Sequence, residues 1–206
     1  MPKKRKPRKP PRAEVRWRLG QRFHYEVQMA YELAGLLLLT GNQTVPEARW
    51  AGLEAFTIHA RQLIEFFWRE KTGRRRDAYA VHYFPPGEWA DLRPPCPPEL
   101  EAALRNRIGR DITHLTYKRT WTTAEDRAWR PAELCTALAP AVFCFVDNVD
   151  HSELDPHWLE ACRERVEGFQ RVAAHVPPQG WGTGSSPSAP QLGFRGEPPQ
   201  PPAEPG

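Results

Sequence analysis

One stretch of the chain gathers arginine, aspartate, histidine and lysine at helical spacing. Arg107 and His114 are seven positions apart, and because each residue turns a helix by about 100°, they lie nearly one above the other. Asp111 and Lys118 share that face, and Arg110 precedes His114 by four positions. A histidine beside such groups can transfer protons while the aspartate fixes its tautomer and an arginine holds an anion. The set suits RNA cleavage, in which a base takes the 2′-OH proton and a cation steadies the phosphorane.

The same side chains also fit an ordinary solvated helix face. Arg107 with Asp111, and Asp111 with Lys118, can form surface ion pairs at helical spacing. His114 can be a half-buried histidine hydrogen-bonded to a neighbouring helix. Because structural ion pairs imitate catalytic sites, the spacing leaves both interpretations open.

A helical bundle whose internal helix carries an arginine, a short run and then a histidine resembles the HEPN superfamily. The family motif is Arg, four to six residues, then His, usually with a polar residue directly after the Arg. Arg107, six residues and His114 match that spacing, with Ile108 at the position of the polar follower. Arg110 is followed by the polar Asp111, but only three residues separate Arg110 from His114.

The resemblance implies a function and a set of roles. Many members of the superfamily are metal-independent endoribonucleases of toxin–antitoxin, phage-defence and RNA-processing systems, commonly dimeric, and others are inactive relatives. His114 would then be the acid–base residue, Arg107 the cation at the phosphate, and Arg110 and Asp111 supporting groups. The alternative function is a non-catalytic helical protein-interaction module. The expected partners are accordingly RNA, and a second copy of the chain or another protein.

Further side chains are candidates for substrate binding. They are Lys118, His59 on the second predicted helix, and Lys3, Lys4, Arg5 and Lys6 near the start of the chain. His59 can instead be a core histidine with a hydrogen-bond partner, because a buried polar group needs only that. The early lysines belong to an arm that carries seven of the 29 basic residues within the first twelve positions. The rest of the chain has 22 basic against 25 acidic residues, so basicity is a property of the arm.

Metal, cofactor and membrane functions find little support in the sequence. The four cysteines have no CxxC spacing, and no phosphate-binding glycine loop or nucleophile elbow occurs, so no cofactor is expected. The acids and histidines between Asp147 and His157 leave open a divalent cation site, although Asp155 is placed to cap a helix. The longest apolar run, residues 34–39, is too short to span a bilayer, and a cytoplasmic protein with reduced thiols is expected.

Apolar periodicity predicts an all-α fold, a bundle of four or five helices with a long ordered inter-helix excursion and disordered tails. The domain bounds are a disordered basic arm at 1–13, the bundle at 14–176 and a Pro/Gly/Ser-rich tail at 177–206. The predicted helices span residues 16–40, 46–72, 98–121, a stretch from 131 onward, and 155–175. Pro140 either kinks the fourth helix or divides it.

The segment from Asp77 to Pro98 is rich in proline but carries too many aromatic side chains for a free loop. We expect it to pack across the helices, with Tyr79 to Phe84 as a short extended piece.

Overall fold

The computed structural model describes residues 13–40, 45–69, 78–102, 130–152 and 154–176, with the side chains of residues 13–19 and Pro46 excepted. Its helices, in chain order, are α1 (Ala13–Thr40), α2 (Pro46–Trp68), a 3-10 helix (Ala80–Tyr83), α3 (Glu88–Leu92), α4 (Pro98–Ala102), α5 (Pro131–Asn148) and α6 (Pro156–His175). Helices are the regular secondary structure throughout these ranges, and four of them are long. The predicted all-α bundle with an ordered excursion is therefore confirmed.

Helix α1 is the centre of the bundle, since it packs along both α2 and α6, and α5 closes the group by contacting all three. The residues of α1 that recur every three or four positions face this core. They are Phe23, Val27, Ala30, Tyr31, Ala34, Leu37 and Leu38, all of them buried. A buried hydrogen bond joins α1 to α5, in which the Tyr31 hydroxyl donates to the carbonyl oxygen of Cys135 at 2.9 Å.

Helix α1 begins at Ala13, three residues before its predicted start. Helix α2 begins as predicted with Pro46 in its first turn, but it ends at Trp68, four residues short of the predicted end. The excursion accounts for that end, because the indole Nε1 of Trp89 donates to the carbonyl oxygen of Phe67 at 2.9 Å. A longer helix would use that carbonyl for its own next turn.

The excursion packs against the core as expected, although its local conformation differs from the prediction. Ala80–Tyr83 form a 3-10 turn, where Tyr79 to Phe84 was predicted to be extended. The turn is closed by two short-range bonds, from His82 N to the Tyr79 carbonyl oxygen at 3.0 Å and from Tyr79 N to His82 Nδ1 at 3.3 Å. Alternation of apolar residues is typical of a strand. Here hydrogen bonds within the turn take the place of hydrogen bonds to a neighbouring strand.

Phe145 on α5 is the hub of the aromatic core. Its ring centroid lies between 4.8 and 6.2 Å from those of Phe23, Phe66, Phe67, Tyr83, Phe84 and Trp89. These rings come from α1, α2 and the excursion. The proline-rich segment thus supplies part of the core itself.

Helix α5 answers the question about Pro140, and helix α6 confirms the predicted cap. Helix α5 runs unbroken from Pro131 to Asn148 with Pro140 inside it, so this proline does not divide the helix. Helix α6 begins at Pro156, and the Asp155 carboxylate caps it by accepting a hydrogen bond from His157 N at 2.9 Å. This is the capping role that the sequence predicted.

Trp50 has the helical spacing of the apolar stripe on α2, yet it does not face the core. Trp50 lies in the first turns of α2 and is 62% exposed. Several further large apolar side chains are exposed near the same end of the α1–α2 pair: Leu36, Leu39 and Val45. The stripe of α2 that does enter the core begins with the half-buried Leu53 and continues through Phe56, Ala60, Leu63, Ile64 and Phe67.

The third predicted helix can be compared with the structure only at its start, where α4 covers Pro98–Ala102. Its remainder and the predicted tails, 177–206 and 1–13 apart from the helical Ala13, lie outside the described residues. Among the helices that are described, none has the length and apolar character needed to cross a bilayer.

Candidate functional site

His59 is the predicted site residue that falls in the described part of the chain, and it pairs with a carboxylate. Its Nδ1 lies 2.6 Å from Oε2 of Glu26, so the contact joins α2 to α1. Each side chain is 13% exposed, which places the pair at the edge of the helix interface with limited access to water. Facing helices bring together two residues that are 33 positions apart.

Two neighbours on α1 extend this pair into a small polar cluster. The Tyr25 ring meets the His59 ring edge to face, with centroids 5.5 Å apart. The guanidinium of Arg22 lies over the Tyr25 ring at 5.2 Å, and its Nε is 3.4 Å from Oε1 of Glu26. Arg22 is largely exposed, so it adds charge at the rim and little to stability. We call Arg22, Tyr25, Glu26 and His59 the His59 cluster.

The His59 cluster has an arrangement that can handle protons. A carboxylate that accepts a hydrogen bond from Nδ1–H fixes the tautomer of an imidazole and leaves the lone pair on Nε2. Nε2 can then accept a proton from a bound molecule, and the nearby guanidinium can contact an anion. The same geometry also satisfies a half-buried histidine as a purely structural group.

The other predicted site residues lie outside the described residues. They are the catalytic candidates Arg107, Arg110, Asp111 and His114, the substrate-binding candidate Lys118, and the arm residues Lys3, Lys4, Arg5 and Lys6. The roles predicted for them therefore stay predictions.

Glu26 was not identified from the sequence as the hydrogen-bond partner of His59. Arg61 and Glu65 lie near His59 on α2 itself. Those two pair with each other at 2.8 Å, and Glu65 also pairs with Arg69 at 2.6 Å. The signal for Glu26 was the antiparallel register of α1 and α2, which a single helix does not reveal.

The acidic connection before α6 is occupied with structural bonds. Asp155 caps α6, Asp147 pairs with Arg163 on α6, and the Asp150 carboxylate accepts a hydrogen bond from Ser152 N at 2.8 Å. Within the ranges that the structure describes, histidines, cysteines and carboxylates do not gather in threes as a metal ion would require. Glu153 lies outside them.

The cysteines differ in burial and in the ease with which their thiols ionise. All four are free thiols, with Cys135 and Cys162 buried. Burial raises the pKa of Cys162 to about 12 and that of Cys135 still further, because a thiolate is poorly solvated there. Burial, and then the charge of Asp147, also raise the pKa of Cys144, whose Sγ donates to the carbonyl oxygen of Leu92 at 3.2 Å.

Comparison with protein-family models, with curated proteins and with solved structures finds no match to this chain.

Proposed function

We propose that this chain is a HEPN-like helical protein that cleaves RNA without a metal ion. The observation that carries the proposal is the spacing of Arg107 and His114 in a chain whose regular secondary structure is helical wherever it is described. Arg107 would contact the scissile phosphate and His114 would move the proton. Arg110 and Asp111 would support them, and Lys118 would bind the substrate backbone.

The reaction needs only proton transfer and charge stabilisation. A base removes the 2′-OH proton, the 2′ oxygen bonds to phosphorus, and the bond from phosphorus to the 5′ oxygen breaks as that oxygen takes a proton. The products are a 2′,3′-cyclic phosphate and a 5′-hydroxyl. Histidine suits both proton transfers near neutral pH, and arginine suits the charge that develops on the phosphorane.

The His59 cluster supports the proposal by its chemistry. Glu26 holds the imidazole of His59 through Nδ1, so Nε2 would be the ring nitrogen that contacts a bound molecule. We assign His59 to substrate binding, with Arg22 beside it as a cation for phosphate. The arm residues Lys3, Lys4, Arg5 and Lys6 would add non-specific phosphate contacts that weaken as salt rises.

The proposal places the protein in the cytoplasm. Its four free thiols are compatible with a reducing compartment.

The test is cleavage of a mixed RNA pool by the purified full-length chain in EDTA. We expect cyclic-phosphate products from the wild type and at least about a hundredfold slower cleavage by His114→Ala and by Arg107→Ala. His175→Ala serves as the matched control, because His175 is exposed at the end of α6. Cleavage that survives both site substitutions would refute the assignment. RNA binding without cleavage by the folded wild type would identify an inactive relative.

A second candidate function is a non-catalytic interaction module that binds a second copy of the chain. The exposed Leu36, Leu39, Val45 and Trp50 at one end of the α1–α2 pair favour it, since clustered apolar side chains often mark interfaces. Sedimentation of the wild type and of the Leu39→Ser/Trp50→Ser variant tests it. Ile58→Ser is the control, because Ile58 is 49% exposed farther along α2. A dimer that persists in the double variant, or a wild type that is monomeric, would exclude this surface.

A further inference from the structure

Two imidazoles contact one indole where α6 packs on α1. The ring centroid of His24 lies 4.6 Å from that of Trp158, and the ring of His157 lies 5.4 Å from the same indole on α6. His24 and Trp158 are half-buried, whereas His157 is exposed. The indole therefore takes part in the contact between α1 and α6, and each imidazole covers part of it.

The charged groups around His24 come from both helices. Arg165, two turns beyond Trp158 on α6, pairs with Glu32 of α1 at 3.0 Å. Glu32 also accepts a hydrogen bond from Gln28 at 3.1 Å. The connection before α6 carries the exposed Asp150 and His151, and Asp155, whose carboxylate accepts from the His157 amide, but none of these three is among the charges that act on His24. The cations that act on His24 are thus Arg165 and His157, and the opposing anion is Glu32.

We propose that His24, His157 and Trp158 form an acid-sensitive latch, which holds the N-terminal half of α6 against α1 and loosens when His24 gains a proton. A neutral imidazole stacks on the indole at little cost. An imidazolium in the same place loses part of its hydration and faces the guanidinium of Arg165 and a second histidine. A charged ring also gains some attraction from the indole face. The latch loosens because the lost hydration and the repulsion outweigh that gain.

The sign of the pH dependence follows from the same groups. Burial lowers the pKa of His24 below 6.5, and Arg165 and His157 lower it further, against a smaller opposite effect of Glu32. The undocked state therefore binds the proton more tightly than the docked state. Docking is fully stabilised above about pH 6.5 and weakens as the pH falls from there through the lowered pKa of His24. For each pH unit by which the pKa of His24 is lowered, the docking equilibrium becomes about tenfold less favourable in acid.

Native-state hydrogen exchange on the full chain tests the latch. Protection factors, corrected for intrinsic exchange rates, are measured by NMR at about pH 7.5 and about pH 5.5 for amides of α6 (Leu159 to Val166) and α5 (Val142 to Val146). We expect acid to lower protection in α6 more than in α5. We expect His24→Gln to remove that difference, because glutamine keeps a polar side chain but does not gain a proton. His175→Gln, at the far end of α6, should behave as the wild type does.

Two outcomes would overturn the latch. One is an equal acid effect on α5 and α6 in the wild type, and the other is an α6 effect that persists in His24→Gln. The titration of the His24 ring proton in the wild type provides a reading that does not depend on how the variant folds. A midpoint at or above 6.5 for that resonance would also refute the proposal.

Discussion

The Nδ1 atom of His59 on α2 lies 2.6 Å from Oε2 of Glu26 on α1, so one hydrogen bond joins the two longest described helices at the edge of their interface. Loss of either partner leaves the other in a place that water reaches poorly. This contact also fixes how α1 and α2 face each other.

Replacement of Glu26 by Ala should destabilise the fold by about 1–3 kcal/mol, because the half-buried imidazole of His59 loses its acceptor. Urea denaturation followed by circular dichroism measures the change. Glu54→Ala is the matched control, since Glu54 is an exposed carboxylate on α2, and its substitution should cost less than about 0.5 kcal/mol. Equal losses in the two variants would show that the contact with His59 contributes nothing to stability.

Phe145→Leu should destabilise the protein by about 1–3 kcal/mol, because six rings lose contacts with the aromatic hub. Phe143→Leu, two residues away on the same helix and half-buried, should cost clearly less. Denaturant midpoints at unchanged slope give the comparison. A similar loss at both positions would contradict the central role of Phe145.

Two glycines on helices should respond to alanine in opposite ways. A Cβ at Gly20 would lie 2.6 Å from Cδ2 of Leu154, which is buried and has little room to move, so Gly20→Ala should destabilise by about 1–3 kcal/mol. A Cβ at Gly168 would meet only an arginine side chain, at 3.8 Å, so Gly168→Ala should stabilise α6 by about 0.5–1 kcal/mol. Thermal unfolding of both variants distinguishes the signs, and a gain at Gly20 would mean that Leu154 repacks freely.

The thiols should separate into two reactivity classes in the folded protein. At about pH 8, Cys96 and Cys144 are partly accessible and should be alkylated first. Cys162 should react at least about a thousandfold more slowly than an ordinary thiol, since a pKa near 12 leaves that much less thiolate. Mass spectrometry of timed iodoacetamide reactions measures the order, and denatured protein is the control in which all four sites react. Early labelling of Cys162 would show that the α1–α6 interface opens readily.

The sequence predicted where the described helices begin better than it predicted the contacts between them. Pro46 and Pro156 mark helix starts because a first-turn proline lacks only a donor that would be unpaired anyway. The end of α2 was predicted too late because the Phe67 carbonyl bonds to Trp89, which is 22 positions away. The Glu26–His59 pair was not predicted for the same reason, because the register between α1 and α2 is set by the packing of the whole core.

Trp50 shows the limit of periodicity for a single side chain. Its spacing from Leu53 and Thr57 fits the apolar stripe of α2, yet it lies beside the start of the helix, where α1 has nearly ended and no longer covers it. Periodicity gives the direction of a side chain around its helix axis. It does not show whether a neighbouring helix is present at that position along the axis.

The aromatic rings around Phe145 limit where this chain can be divided into fragments that fold. A search for linkers by composition would select the proline-rich stretch between Pro85 and Pro98 as a boundary between fragments. Yet Phe84 and Trp89, at and inside that boundary, pack on Phe145 more than fifty positions later. A truncation there would leave both halves with exposed aromatic surface, so fragments made in this way should aggregate, and a protease should find the stretch a poor target while the fold is intact.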